Sequence, residues 1–212
     1  MGEKKIEKAD RIISYLKDTY EPDAIIVYGS YADGSADGNS DFDALILADH
    51  EKTHDSSVID GIVLDVFVYP AEAFRSEYDP EEFIQVWDGK IVLDKNGTAG
   101  LLQKRVLECI ADTPQKTEKE IRQEIAWCEK MLSRTARGDA ESRYRWHWLL
   151  VDSLEIYCDV KGLYYHGPKK ALRFMERTDE EAFGLYSAAL KEFEREHLSD
   201  WILYLKRLSS AS

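Results

Sequence analysis

Two aspartates one residue apart, Asp41 and Asp43, close a loop dense in Gly, Ser and Asp that begins at Gly29. Ahead of it, Ala24 to Tyr28 is a short apolar run with β-branched residues and reads as a buried strand. That strand leads directly into Gly29-Ser30. A glycine there allows close backbone approach to a ligand. If a helix starts at once, its free N–H groups and the Ser30 hydroxyl can hold a phosphate. On a strand, positions 41 and 43 share a face, so the two carboxylates converge while Phe42 points to the core. Like charges so placed repel, and a divalent cation relieves them. Asp65 stands alone as a charge in the apolar run Ile62 to Val68 and needs a cation or polar partner. On an adjacent strand it supplies a third carboxylate. Three carboxylates beside a phosphate-gripping loop fit a two-metal site.

The elements that must position these residues alternate. Ile6, Ile12, Ile13 and Leu16 fall near helical spacing, and Glu21-Pro22 ends that helix. Asp43 to Leu47, Gly61 to Tyr69 and Lys90 to Leu93 read as further strands, Asp60 as a turn residue, and Asn96-Gly97 as a turn. From Leu101 the pattern becomes helical. Ile121, Ile125, Cys128 and Leu132 recur at three- and four-residue spacing, and so do Leu190, Phe193, His197, Trp201, Tyr204 and Leu208, read as one core-facing stripe. Trp146 to Tyr157 is apolar round most of its circumference and is expected to be central. The fold class is therefore α+β, a mixed sheet with flanking helices over residues 1–100 joined to an all-α bundle over 101–212.

Gly29-Ser30, Gly34, then Ser40-Asp41-x-Asp43 and the later strand residue Asp65 together resemble the nucleotidyltransferase superfamily typified by DNA polymerase beta and the kanamycin nucleotidyltransferases. The resemblance covers Ile25 to Pro70. It implies that Gly29, Ser30 and Ser40 meet the triphosphate and that Asp41 and Asp43 hold Mg²⁺, two ions in all, with Asp65 a further ligand or a base and ATP or another nucleoside triphosphate as co-substrate. Small antibiotic-modifying members also carry a C-terminal helical bundle. The implied reaction moves a nucleoside monophosphate to a small acceptor, an aminoglycoside or lincosamide antibiotic being the leading candidate.

Composition narrows the partners. A 44% hydrophobic, 33% charged chain is that of an ordinary folded protein, and no apolar run reaches the ~18 residues of a membrane span. Met1 to Asp10 lacks the apolar core of a signal peptide, and Ile6 stands where a myristoylation motif wants Ser or Thr, so a cytoplasmic location is expected. The net charge of −13 disfavours nucleic acid and suits a cationic acceptor. A homodimer is left open. Cys109, Cys128 and Cys158 are read as buried thiols.

In the bundle, Arg145, Trp148, Asp152, Glu155 and Asp159 share a helix face, either a solvated stripe or an acidic wall with Glu155 as general base. Lys169 and Lys170, after the Gly167-Pro168 turn, are candidates for triphosphate oxygens, with plain surface lysines as the alternative. An EF-hand match over Asp33 to Ala44 fails, because Ala44 replaces the last ligand and a strand precedes the loop. The spacing from Arg143 to His147 is one residue short of the Arg-x4–6-His signature of helical ribonuclease-like bundles. Two other functions share this fold, a protein adenylyltransferase and a catalytically silent nucleotide-binding regulator or antitoxin-like partner.

Overall fold

The computed structural model describes residues 2–211, with side chains described from 7 to 210; the side chain of Ile6 lies outside that range. The chain divides into two compact units, Met1–Asp112 and Thr113–Ser212.

The N-terminal unit is a mixed sheet with helices on both faces. Helix α1 (Gly2–Tyr20) sends Ile12 and Leu16 into the core, and Glu21 ends it with φ +46°. Strand β1 (Ala24–Val27) is buried along its whole length and lies antiparallel to β2 (Phe42–Ala48). β2 pairs in parallel with β5 (Ile62–Pro70), and the edges are β3 (Thr53–Asp55) and β6 (Lys90–Asp94), giving the order β3-β5-β2-β1-β6. Two-residue β4 (Val58–Ile59) returns onto β5 through Asp60-Gly61, with φ +52° and +79°. Both positive angles match the tight hairpin turn that Asp-Gly favours.

Strand alternation divides the core. Ile25, Val27, Phe42, Ala44, Ile46, Leu64, Val66 and Val68 pack with α1, whereas Ala24, Ile26, Tyr28, Leu45 and Leu47 pack with Phe74, Phe83 and helix α3 (Thr98–Asp112). Helix α3 follows the Asn96-Gly97 turn and contributes Ala99, Leu102 and Val106 to that second cluster. It therefore packs with the sheet unit, and the boundary between compact units falls at Asp112, where helical periodicity alone suggests residue 100.

The C-terminal unit is helical: α4 (Glu118–Arg134), α5 (Ala140–Val160), α6 (Pro168–Thr178), α7 (Glu180–Lys191) and α8 (Arg195–Ala211). Thr117 and Glu120 form a reciprocal capping box on α4, and Asp139 caps α5 through the backbone N–H of Ser142 at 2.8 Å. Helix α5 packs against α4, α6, α7 and α8 and buries Leu149, Leu150, Leu154 and Tyr157. The stripe from Leu190 to Leu208 is not one helix. The chain leaves helical geometry at Glu192, and Leu190 and Phe193 are exposed, while Trp201 and Tyr204 of the stripe are buried on α8 together with Leu198, Ile202 and Leu205. Cys128 and Cys158 are buried, and burial pushes their thiols up to about 12 and about 11; Cys109 is only partly covered. Among the described residues no helix is long and apolar enough to cross a membrane.

One carboxylate ties this unit together. Asp179, between α6 and α7, accepts hydrogen bonds from Tyr157 Oη (2.9 Å), Tyr204 Oη (2.7 Å), Lys161 Nζ (2.9 Å) and the backbone N–H of Ala182 (3.2 Å). Burial alone would raise its pKa, but these donors outweigh burial and bring it from the usual 3.8 to about 2. A folded-state value below the unfolded one adds stability that is full above the unfolded pKa and fades as pH falls through the folded one. The contribution is about 2 kcal/mol at neutral pH. Asp179→Asn should lower the unfolding free energy at pH 7 by that much, obtained from urea titration followed by tryptophan fluorescence. The gap to the parent should close between pH 4 and pH 2, the interval spanned by the two pKa values; a gap constant over that interval would remove the carboxylate charge as its cause.

Candidate functional site

Strand β1 delivers the chain to the site under tight restraint. Tyr28 is extended, its N–H donates to Asp43 O at 3.1 Å, and Gly29 then takes φ +63° to open the one-turn helix α2 (Gly29–Asp33). A Cβ on Gly29 would overlap the Asp43 carboxylate. Glycine is thus required twice, by the backbone angle and by the acid packed on it. Ser30 is 4% exposed, and its carbonyl accepts from Ala36 N at 3.0 Å to fold the loop back.

The rest of the loop is held by its own side chains. Asp33 Oδ1 accepts from Ser35 N (3.0 Å), and Asp37 Oδ1 accepts from Asn39 N (2.9 Å) and from the Ser40 hydroxyl (3.1 Å). Ser40 Oγ in turn accepts from Asp37 N at 2.8 Å. The Ser40 hydroxyl is therefore a loop brace, and Asp33 and Asp37 form turns of the kind short polar side chains make with nearby backbone.

The acids meet through the sheet register. In the parallel pair β2/β5, Asp43 lies opposite Asp65, and Phe42, fully buried, packs its ring 5.1 Å from that of Tyr31 on the other face. Asp41 is exposed in the residue before β2. Asp65 has the polar partner its position demands: His54 Nε2 is 2.7 Å from Asp65 Oδ1, and the imidazole stacks on Phe67 at 4.6 Å. His54 pairs across the ladder with Phe67, which places it diagonally from Asp65. Periodicity gives no sign of this residue, because a three-residue strand of Thr, His and Asp carries no alternating apolar signal. Tyr28 reports the field between the acids. Burial first, and then the charges of Asp65 and Asp43, drive its phenol well above the ordinary range.

Oxygen-only ligands on neighbouring strands, facing a loop that keeps its backbone bare at Gly29, suit a hard divalent ion. Asp43 and Asp65 would hold it, with Asp41 in reach along the chain. Among the described residues, the three side chains whose donor atoms all lie within 4.8 Å of one another are Glu192, Glu194 and His197, on the α7–α8 connection. Asp41, Asp43 and Asp65 are more loosely gathered, with one Asp65 oxygen turned to His54.

The family model described as Polymerase beta, Nucleotidyltransferase matches residues 10–61. The N-terminal unit carries a nucleotidyltransferase domain. The match takes in Gly29, Ser30, Asp41 and Asp43 and stops before Asp65, whose place in the site rests on the β2/β5 register. A nucleotidyltransferase-like protein from Exiguobacterium sibiricum 255-15 is similar in structure, with 15% identity and a TM-score of 0.40 over 97% of this chain and 74% of its own. A toxin–antitoxin structure with AMP-PNP aligns at 23% identity and a TM-score of 0.31, over 47% of this chain and 84% of that one. No curated protein matches.

The remaining candidates lie in the C-terminal unit, apart from the nucleotidyltransferase domain in sequence. Lys169 and Lys170 open α6. Asp152 and Glu155 line a groove of about 530 Å³ between α4 and α5 with Lys116, Glu120, Glu124 and Trp127. Asp159 binds Lys116 Nζ at 2.7 Å, Trp148 lies edge-on to Trp127, and Arg145 pairs with Glu141. The face is thus divided between groove, ion pairs and ring contacts. Burial works against the charge on Lys116, but its bonds to Asp159 and Glu124 prevail and hold its pKa above the usual value. For Glu124 burial prevails over the same bond, with Asp159 and Glu155 adding to it, so its pKa rises. The amine is therefore secured chiefly by Asp159, and Glu124 is the costly member, with one oxygen enclosed and unbonded.

The loop gives a graded test. Gly29→Val should abolish Mg²⁺–nucleotide binding in isothermal titration, since its side chain would push the Asp43 carboxylate aside and strain a backbone held at φ +63°. Ser30→Ala should cost only about 1–2 kcal/mol, one hydrogen bond to a charged group, seen as a raised nucleotide KM. Equal affinity in the valine variant and the parent would show that the loop does not hold the nucleotide.

Proposed function

We propose that the chain is a Mg²⁺-dependent enzyme that moves AMP from ATP to a hydroxyl of a small cationic acceptor and releases pyrophosphate. The observation that carries the reading is the seating of Gly29 on Asp43 with Asp65 in register beside it. That arrangement leaves a bare backbone for a phosphate and two carboxylates for metal at the same spot. Mg²⁺ bound by Asp41, Asp43 and Asp65 would neutralise triphosphate charge and lower the pKa of the attacking hydroxyl. The backbone at Gly29 and the Ser30 hydroxyl would bind the phosphates, and His54 would fix the orientation of Asp65. The acceptor oxygen then forms a bond to the α-phosphorus as the bond to the pyrophosphate oxygen breaks.

A cationic acceptor is supported by the net charge of −13 and by the groove that holds Asp152, Glu155, Glu120 and Glu124 against the single amine of Lys116. Trp127 adds an aromatic wall suited to the apolar parts of such a molecule. An aminoglycoside or lincosamide fits that description, which would make the protein an antibiotic-resistance enzyme. Lys169 and Lys170 are retained as candidate triphosphate contacts.

Incubation with α-³²P-ATP, Mg²⁺ and a panel of aminoglycosides and lincosamides tests the reaction. Label on an antibiotic together with pyrophosphate release is expected. Label on proteins of a cell extract, with none on any antibiotic, would identify a protein adenylyltransferase, and neither label nor pyrophosphate with either acceptor set would identify a silent binder. Asp43→Asn and Asp65→Asn should abolish transfer without lowering the melting temperature, because each removes a ligand charge and no packing volume.

Glu155 is the proposed general base for the acceptor. Glu155→Gln should lower kcat by about 10²–10⁴-fold with little change in nucleotide KM. A rise in acceptor KM alone, with kcat unchanged, would reduce its role to binding.

A further inference from the structure

The Arg143–His147 pair recurs here in a different setting. Four residues apart on α5, the two side chains share a face. With Trp146, Phe193, Arg195 and Ser142 they line a second cavity of the C-terminal unit, of about 620 Å³. No carboxylate lines it. In a chain with 41 acids to 28 basic residues that is unusual, and the arginines on either side behave otherwise: Arg137 and Arg145 both pair with Glu141. Among the described residues, Arg143 and Arg195 form no ion pair. Glu192, next to Phe193, is turned to His197 at 3.0 Å.

The aromatic wall is equally specific. Phe193 is 57% exposed although it sits on an apolar partner, its ring stacked on Trp146 at 5.4 Å and 27°. His147 meets the same ring edge-on at 5.0 Å. Trp146 is buried and anchored by its Nε1–H to Ala189 O at 3.3 Å, so the stack has a fixed base and one open face. An open ring face accepts a flat heterocycle, and guanidinium groups bind phosphate oxygens through paired donors.

We propose that this cavity binds a nucleoside monophosphate unit, its base stacked on Phe193 and its phosphate held by Arg143 and Arg195. The unit is either a free nucleotide or one residue of a single strand. The site differs from the nucleotidyltransferase loop in needing neither a triphosphate nor Mg²⁺, and it stands whether or not the transfer reaction does.

The test uses the full chain carrying Gly29→Val, to silence the other loop, in EDTA, with tryptophan fluorescence and isothermal titration as readouts. AMP should bind, and ribose 5-phosphate and adenosine, each lacking half of the unit, should bind at least about tenfold more weakly. Phe193→Ala and the double change Arg143→Gln with Arg195→Gln should each weaken AMP by about tenfold or more. All three positions are exposed, so circular dichroism melts should match the background protein. Tighter binding of a six-residue oligo(A) than of AMP identifies the strand as the source, and equal or weaker binding identifies the free nucleotide. Failure of AMP to bind, or binding unchanged by both sets of substitutions, overturns the proposal.

Discussion

The parallel register of β2 on β5 is the constraint on which the N-terminal unit depends. It sets Asp43 beside Asp65, and the alternation of the same two strands sends their apolar residues to α1 on one face and to the α3 side on the other. A shift by one residue would send Leu64 or Val66 to the acid and bury Asp65 among α1 contacts, a desolvation cost of several kcal/mol for an unpaired carboxylate. The proposed site and the core therefore depend on the same register. The two-residue turn at Asp60-Gly61 and the short strands before it bring β5 back beside β2 in the required direction, and they also carry His54 to Asp65.

What could be read from the residues follows from that constraint. Gly29 and Asp43 are fixed by chain-local logic, a strand that ends on a glycine and a strand that starts near an acid, and local logic is what one sequence contains. Asp65 stands out only because a charge interrupts an apolar strand. His54 could not be found, since its relation to Asp65 exists only across a ladder whose pairing no local pattern reveals. Ser40 carries a relation the motif does not announce: its place there suggests a ligand contact, and its hydroxyl also closes the loop on Asp37.

The bundle misleads for a different reason. Leu190 to Leu208 keeps helical spacing across a break at Glu192 because α8 continues nearly in phase with α7 by sequence count, and spacing alone cannot register the interruption. The period of helix α3 suggests a place in the bundle, yet Ala99, Leu102 and Val106 are buried against sheet residues. Periodicity identifies which face of a helix is apolar; it does not say which surface that face meets. The stripe from Ile121 to Leu132 is legible, since it lies on α4 and packs into the bundle core, and so is α5, because a helix apolar on most sides has nowhere to go but the centre.

Helix α5 also separates its charges by sign. A helix dipole favours acids in the first turn and bases in the last, and the effect fades beyond them; Asp139 and Glu141 meet that preference at the start of α5. Along the rest of the helix Arg143, Arg145 and His147 stand in its N-terminal half, and Asp152, Glu155 and Asp159 toward its C-terminus. Arg145 and Asp159 are compensated by Glu141 and Lys116. Arg143 and Glu155 are not paired in this way, and each lines a cavity of the matching sign. The uncompensated charges of the central helix are thus the ones that face open space, which is the pattern expected when charge is kept for a ligand and not for the fold.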